Sequence, residues 1–460
     1  MSTFFDPTLV ARASKAGFNV IDNAVYTPAV QTMYINAIEQ EMSKDRPFPE
    51  GYGLEDLIFW EPGNRVLDWP FVLHSAGHYS PYSDKQNLLT NGSTQNRFLI
   101  ADSSGYQFSS NSLQFKEFKD KSKKWTPLEA LQAWDSSLKE KEFLLYWMER
   151  NATYSTVLDA PPWGKLPMYK GAPFHECSFD QFLEITKQNM EWIHANRLGH
   201  TKFLCVIQGY HTPSTKKWID AMTAKDYRFE GVSAGGGSGF RGGFKEVLST
   251  VMMLKERDFF LPGQDLAHFL GVSTAIAAVA LSHIQKRLRE KNPALTVTFD
   301  SSSPFLTGGR YERGYEVAQL NKDGTGWGLS AKESPQNILH VNSKEPFGRG
   351  NPFAGDSLQL GHFNVVDAEV ADRRFDSISN ALLMLLNVNA FLRTFEKANA
   401  LANDSLDNLP VKYRDCIHII DEAFDSNNWQ AVLDNHEDRL NLVASSQFYD
   451  KEGDLLVDWP

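Results

Sequence analysis

Three aspartates, Asp102, Asp159 and Asp300, each stand at the end of a short apolar run: RFLIAD at 97–102, TVLD at 156–159 and TVTFD at 296–300. A fourth run, FLCVI at 203–207, closes on Gln208 and Gly209. An apolar run that ends on a polar side chain and passes into small turn residues reads as a buried strand with its polar group at the C-terminal lip. Carboxylates in such places suit a reaction at a sugar carbon, where one attacks the anomeric centre to form a covalent glycosyl-enzyme and another moves the proton. A carboxylate also complements the N–H donors of a purine edge, and Tyr106, just past Asp102, offers a ring face for stacking. Capping the next helix is the ordinary alternative for each aspartate. Gln208 is a poor cap, however, and Asp300 runs into Ser-Ser-Ser-Pro rather than a helical pattern, so capping accounts weakly for the whole set.

These side chains meet only if their strands run the same way. In a parallel (β/α)8 barrel the C-terminal strand ends share one rim, and that rim carries the chemistry. The middle of the chain alternates strand and helix as such a barrel requires. Strands are expected at 70–75, 97–102, 154–159, 203–208, 229–234, 268–273 and 296–300, with 338–341 as the last. Helices are expected at 126–150, 178–196 (with Ser178 and Gln181 at capping-box spacing), 212–222, 244–255 and 274–289. The fold class is therefore α/β, an irregular (β/α)8 TIM barrel at 70–345, preceded by an N-terminal extension (1–69) packed on it and followed by a mostly helical C-terminal region (346–460). Helical patterns at 28–42 and 377–399 belong to these flanks. After Asp300 the sequence reads as Gly-rich, charged loops.

Composition narrows the function. With 46 Lys and Arg against 57 Asp and Glu the net charge is −11, so the chain has no global electrostatic footprint for nucleic acid, and a nucleic-acid partner must be held by local basic residues. Lys119, Lys123 and Lys124 in the lysine-dense stretch 114–125, with Arg310, Arg313 and Arg349, are the candidate phosphate contacts; a solvated loop is the plainer reading of the lysines alone. The three cysteines, Cys177, Cys205 and Cys416, are too far apart in sequence for a disulfide framework or a Cys-rich zinc site, and fit a reducing compartment. The N-terminus lacks a secretory pattern, and the longest apolar stretch, 272–281, falls short of the ~20 residues that span a bilayer, so a cytoplasmic protein with no membrane partner is expected. No HxH, HExxH or GxSxG spacing occurs. The match Gly237-x-Gly239-x-x-Gly242 is weak as a dinucleotide fingerprint and sits late in a running βα series. His268 reads best as a satisfied core histidine.

In order along 70–304, these residues resemble the tRNA-guanine transglycosylase family, including its relatives that act on DNA. Asp102-Ser-Ser-Gly-Tyr-Gln107 is similar to the family's Asp-Ser-Gly-Gly-Phe/Tyr-Gln, with Ser104 in place of a glycine. Trp125-Thr-Pro-Leu-Glu-Ala130, Leu158-Asp159, Val206-Ile-Gln-Gly209, Ala234-Gly-Gly-Gly237, Phe269-Leu-Gly-Val272 and Phe299-Asp300 with Pro304 resemble the motifs that follow. The resemblance implies Asp300 as the nucleophile on C1′ and Asp102 as the general acid/base. It implies Ser103, Asp159, Gln208, Gly235 and Gly236 around the base edge, and Tyr106 and Leu270 on its two faces. It further implies exchange of guanine for a free 7-deazaguanine such as preQ0, without a cofactor. Two departures bear on the substrate: the family's Cys-x-Cys-x-x-Cys…His zinc site is absent from the sequence, and the stretch after Asp300 lacks the usual Thr-Arg pattern. In the family the zinc element supports dimer formation and tRNA contact, so its loss favours DNA over tRNA as the partner.

Three other readings stand beside this one. They are a tRNA-guanine transglycosylase, a non-catalytic nucleic-acid-binding paralogue, and an unrelated barrel such as a glycoside hydrolase, in which paired carboxylates lie roughly 5 Å apart for retention. Keeping both Asp102 and Asp300 argues against a pure binder, and Gln208 with the Gly-Gly turn fits a purine pocket better than a sugar cleft.

Overall fold

The computed structural model describes residues 4–41, 48, 51–79, 96–110, 112, 115–120, 122–225, 227–315, 317–321, 324–329, 331–333, 344 and 375–445. The strand expected at 338–341 and Arg349 lie outside them. Eight parallel strands form one sheet: β1 (Val25–Tyr26), β2 (Phe71–Ser75), β3 (Phe98–Asp102), β4 (Tyr154–Thr156), β5 (Lys202–Ile207), β6 (Gly231–Ala234), β7 (Leu266–Phe269) and β8 (Thr296–Phe299). From β2 to β8 each pairs with the next, and β1 pairs with β8 through Val25–Thr298 and Tyr26–Phe299. The ring closes just past β1, where Ala29 bridges Leu73; the Val30 N–H donates to Leu73 O at 2.8 Å and the Leu73 N–H to Pro28 O at 3.0 Å. The chain is thus an α/β protein built on a (β/α)8 barrel.

The strands are buried almost end to end because helices cover the outside and side chains fill the inside of a parallel barrel. Phe4 and Phe5 pack under the N-terminal strand ends: the Phe5 ring lies 4.7 Å from Phe71 and 5.0 Å from Phe98, and Phe4 lies 5.7 Å from Tyr154.

The first barrel strand falls inside the stretch expected to be an N-terminal extension, and 70–75 is the second strand rather than the first. The physical reason is length. Two residues carry no periodicity, and β1 gains its ladder only from β8, some 270 positions later. The helix expected at 28–42 begins at Thr32, after the closing bridge. The helix expected at 126–150 is two, Pro127–Ser136 and Leu138–Asn151, parted at Ser137. Ser178 caps its helix as its spacing predicts, accepting from the Gln181 N–H while the Gln181 side chain accepts from the Ser178 N–H.

The region after Asp300 also differs from its reading as loop, since Ser303–Tyr311 is a helix. Its glycines serve close packing. A Cβ at Gly308 would stand 2.9–3.0 Å from Met384 atoms, so the glycine lets this helix lie directly on the long helix Ser377–Asp404. That long helix is apolar on nearly every side and is long and apolar enough to cross a membrane, yet 89% of its most apolar window is buried within the protein. It is a core helix.

Asn387, fully buried in that helix, ties it to the β8 side of the barrel. Its amide donates to Pro304 O at 3.1 Å and Arg313 O at 3.0 Å, and its carbonyl accepts from the Tyr315 N–H at 2.6 Å. Asn387→Ala strands three backbone groups and is expected to lower unfolding free energy by ~3 kcal/mol, measured by chemical denaturation.

Candidate active site

The C-terminal rim gathers the candidate residues from six consecutive strands. Asp102 ends β3, Asp159 lies three residues past β4, Gln208 follows β5, Gly235 follows β6, Leu270 follows β7 and Asp300 follows β8. None of the three aspartates caps a helix: the residues at the caps of the next helical turns are Ser104, Pro161 and Ser302.

Asp159 sits deepest. It accepts from Gln208 Nε2 at 2.8 Å on one oxygen and from Ser103 Oγ at 3.3 Å on the other, and Ser103 also donates to Val157 O at 2.6 Å. Burial, with Asp102 nearby, pushes its carboxyl up to about 7 despite those donors. Gln208 is buried and its Oε1 has no partner among the described residues. Gly236 lies against that oxygen in a left-handed turn with φ +57°, and a Cβ there would stand 2.7 Å from both Gln208 Oε1 and the Trp163 ring. The Gly235 and Gly237 N–H groups bond to Ile207 O and Gly209 O, whereas no partner is found for the Gly236 N–H among the described residues. The pocket wall therefore carries a carboxyl, an amide and a backbone donor together. The Gly237-x-Gly239-x-x-Gly242 match serves packing: a Cβ at Gly237 would meet Gly209 O at 2.3 Å, and one at Gly242 would meet Gly237 O.

Asp102 and Asp300 form the second half of the site. Ser75 Oγ donates to Gln107 Oε1 at 3.1 Å beside Asp102; burial first, and the neighbouring Asp300 charge, raise the Asp102 carboxyl to about 6 although Ser75 and the Ser104 backbone pull it down. Asp300 is held through Oδ1 by the Gly271 N–H at 3.1 Å. Gly271 has φ +79°, so the FLGV turn at the end of β7 aims a donor at the carboxylate that ends β8. His268 stands behind, fully buried. Its Nδ1 pairs with Thr298 Oγ1 at 2.9 Å, so its reading as a satisfied histidine holds for one nitrogen; Nε2 has no hydrogen bond and lies 3.5 Å from Asp300 Oδ1.

The aromatic wall departs from expectation in composition. Tyr106 is 54% exposed on the helix Gly105–Ser109, with its ring 6.3 Å from Trp163. Leu270 reaches Gly235, where a Cβ would stand 2.9 Å from its Cδ1. Trp163 and Arg241 were not singled out in the sequence. The Arg241 guanidinium lies 5.5 Å from the Trp163 ring, and Trp163 lies 5.5 Å from Tyr169. The usable signal for Trp163 was its place in the Pro-rich APPWG directly after Asp159.

Ser104 occupies the position where the resembling motif has glycine, and its φ is +101°, a backbone region glycine tolerates and serine rarely adopts. Its hydroxyl is buried without a partner, and room for it comes from Gly77, where a Cβ would stand 2.5 Å from Ser104 Cβ and Oγ.

Among the basic candidates, Lys119, Lys123, Lys124, Arg310 and Arg313 are exposed, on segments that follow β3 and β8. Lys123 lies 3.7 Å over the Trp125 ring. Phe118 in the same loop packs 5.4 Å from Phe174, which stacks at 3.7 Å on Phe108 of the rim helix after Asp102. The lysine loop is thereby anchored beside the site.

No protein-family profile and no curated protein matches the chain. Among solved structures it is similar to the Ignisphaera aggregans GH53 catalytic domain, at 10% identity and a TM-score of 0.35, over 62% of this chain and 86% of that one.

Two outcomes follow from the geometry. A carboxyl whose folded value lies above its unfolded one makes the native state bind more protons between roughly pH 4 and 7, so its contribution to stability is lost as pH rises through that window. Asp159→Asn removes this dependence, and Gln208 can rotate its amide to accept from the new NH2. The variant is expected to gain ~2–4 kcal/mol over wild type on going from pH 4.5 to pH 8, read from denaturant midpoints at both values. Ser104→Gly relieves the left-handed strain and is expected to stabilise by ~1 kcal/mol. Gly77→Ala should cost less stability in that background than in wild type, a coupling that thermal unfolding of the double-mutant cycle measures.

Proposed function

We propose that this protein is a base-exchange glycosyltransferase that replaces guanine in a nucleic acid, DNA in preference to tRNA, with a free 7-deazaguanine. The reading is supported above all by the Asp159–Gln208 pair beside the Gly236 backbone. Asp159 supplies acceptors for the N1–H and 2-amino donors of guanine, and the Gln208 amide and Gly236 N–H supply donors for its O6. A sugar cleft has no need of so planar a donor and acceptor set. The order of motifs shared with the tRNA-guanine transglycosylase family supports the same assignment, and the missing zinc motif is the ground for preferring DNA.

The division of labour between the other carboxyls fits this chemistry. Asp300, held on Oδ1, attacks C1′ with its other oxygen as the C1′–N9 bond breaks, and the electron pair leaves with the guanine. Asp102, whose raised carboxyl keeps a proton up to about pH 6, gives that proton to the departing base. The incoming 7-deazaguanine then loses its N9 proton to Asp102, attacks C1′ and displaces Asp300, which returns as a carboxylate. No redox step or nucleoside triphosphate is needed. The target nucleotide must leave its stack to reach the rim, at a cost of a few kcal/mol that stacking on Tyr106 and the polar wall offset.

Radiolabelled guanine incubated with either duplex DNA or tRNA tests this directly. Wild type is expected to place label in DNA, and Asp300→Asn to lose at least ~1000-fold in rate while melting like wild type. Label in tRNA alone would overturn the choice of DNA; label in neither would overturn the exchange reading. Neutralising Lys119, Lys123, Lys124, Arg310 and Arg313 together should flatten the salt dependence of DNA binding by up to about one unit of log–log slope per lost contact.

A further inference from the structure

We infer that His268 is a positioning residue for Asp300: it directs an Nε2–H at Oδ1, together with the Gly271 N–H, and so leaves Oδ2 as the attacking oxygen. The inference rests on the exchange reading for its catalytic consequence, but the His268–Asp300 pairing stands on geometry of its own.

His268 is fully buried on β7, between Ser233 of β6 and Thr298 of β8 in the sheet register. One ring nitrogen is committed to Thr298. The other is one of the buried polar atoms without a hydrogen bond, and it lies 3.5 Å from Asp300 Oδ1. A neutral imidazole carries one proton, and its position is set by what each nitrogen faces. The Thr298 hydroxyl can donate or accept, so Nδ1 is satisfied either way. A carboxylate oxygen only accepts, and a bare Nε2 would set lone pair against lone pair; the proton therefore belongs on Nε2. At 3.5 Å the contact is longer than a made hydrogen bond, in keeping with sites whose catalytic bonds shorten once substrate fills them.

The geometry gives the pairing a chemical purpose. Both donors converge on Oδ1, and no hydrogen bond among the described residues engages Oδ2. When Asp300 is joined to C1′ through Oδ2, Oδ1 becomes the ester carbonyl oxygen, and the same two donors polarise it and stabilise the carboxylate as it leaves. The groups facing this pair are Asp102 from β3, which feels both His268 and Asp300, and Tyr26 from β1, which feels Asp300. The His268 ring faces Oδ1 of Asp300 at 3.5 Å and has no such contact with Asp102, so the two carboxyls are set in different surroundings and can take different roles. Tyr26 is held neutral by burial and adds no charge.

Two variants and one spectroscopic measurement test the assignment. His268→Phe removes the donor and His268→Gln keeps an N–H near the Nε2 position without a titrating ring. His268→Phe is expected to lower kcat for guanine exchange about 100-fold with little change in KM, and to move the acid limb of kcat/KM upward; His268→Gln should recover most of the rate and the wild-type limb. Equal rates and limbs in all three proteins would overturn the inference, as would equal loss in both variants when both melt like wild type. Histidine-selective 15N NMR of the wild-type chain reads the pairing without any turnover. An Nε2-protonated resonance that shifts in Asp300→Asn supports it, and an Nδ1-protonated ring or one indifferent to Asp300→Asn overturns it. If wild type exchanges no base, the functional reading fails, and the NMR result still decides the pairing.

Discussion

Three carboxyl groups share one small, buried rim, and the cost of holding charge there, from burial first and mutual repulsion second, shapes what surrounds them. Asp102 and Asp159 answer it by holding protons well above the ordinary carboxylate range, and Asp300 answers it by leaning on a backbone N–H. Each solution depends on a different strand end. Ser103 just past β3 and Gln208 past β5 donate to Asp159, Ser75 at the end of β2 lies beside Asp102, and the turn after β7 supplies the donor for Asp300. The closed parallel ring is what allows donors and acceptors from distant parts of the chain to meet within hydrogen-bonding distance.

Close approach is the second requirement, and the backbone meets it by omitting side chains. Gly236 lets the main chain reach Gln208 and Trp163, Gly77 makes room for Ser104, and Gly105 lies where a Cβ would stand 2.8 Å from Asp159. Ser104 runs against this economy. It holds a strained conformation with a buried hydroxyl, at the junction between Asp102 and the helix that carries Tyr106. Strain of this kind persists where surrounding structure fixes it, and it is common beside reactive groups.

Much of this was legible in the sequence because the barrel writes a repeating grammar. Apolar runs ending in Asp102, Asp159, Gln208 and Asp300 marked β3, β4, β5 and β8 and placed their polar residues on one rim. What escaped notice had no local signature. Val25–Tyr26 is too short to show alternation, so nothing local separates the strand that completes the ring from an N-terminal extension. The helix Ser303–Tyr311 hid behind a serine run and glycines that serve packing on Met384. Trp163, Arg241 and the second nitrogen of His268 acquire meaning only from neighbours remote in sequence, and single-sequence patterns do not carry that information.

The pairing of β1 with β8 constrains the order in which the protein can be assembled. A ribosome releases Val25–Tyr26 long before Thr296–Phe299, so for most of synthesis the ring has two raw edges and its N-terminal strand has only the short Ala29–Leu73 contact to hold it. Folding that waits on so distant a partner is slow, and exposed parallel edges in the meantime invite pairing with other chains. Truncation near residue 295 would leave that gap permanently open.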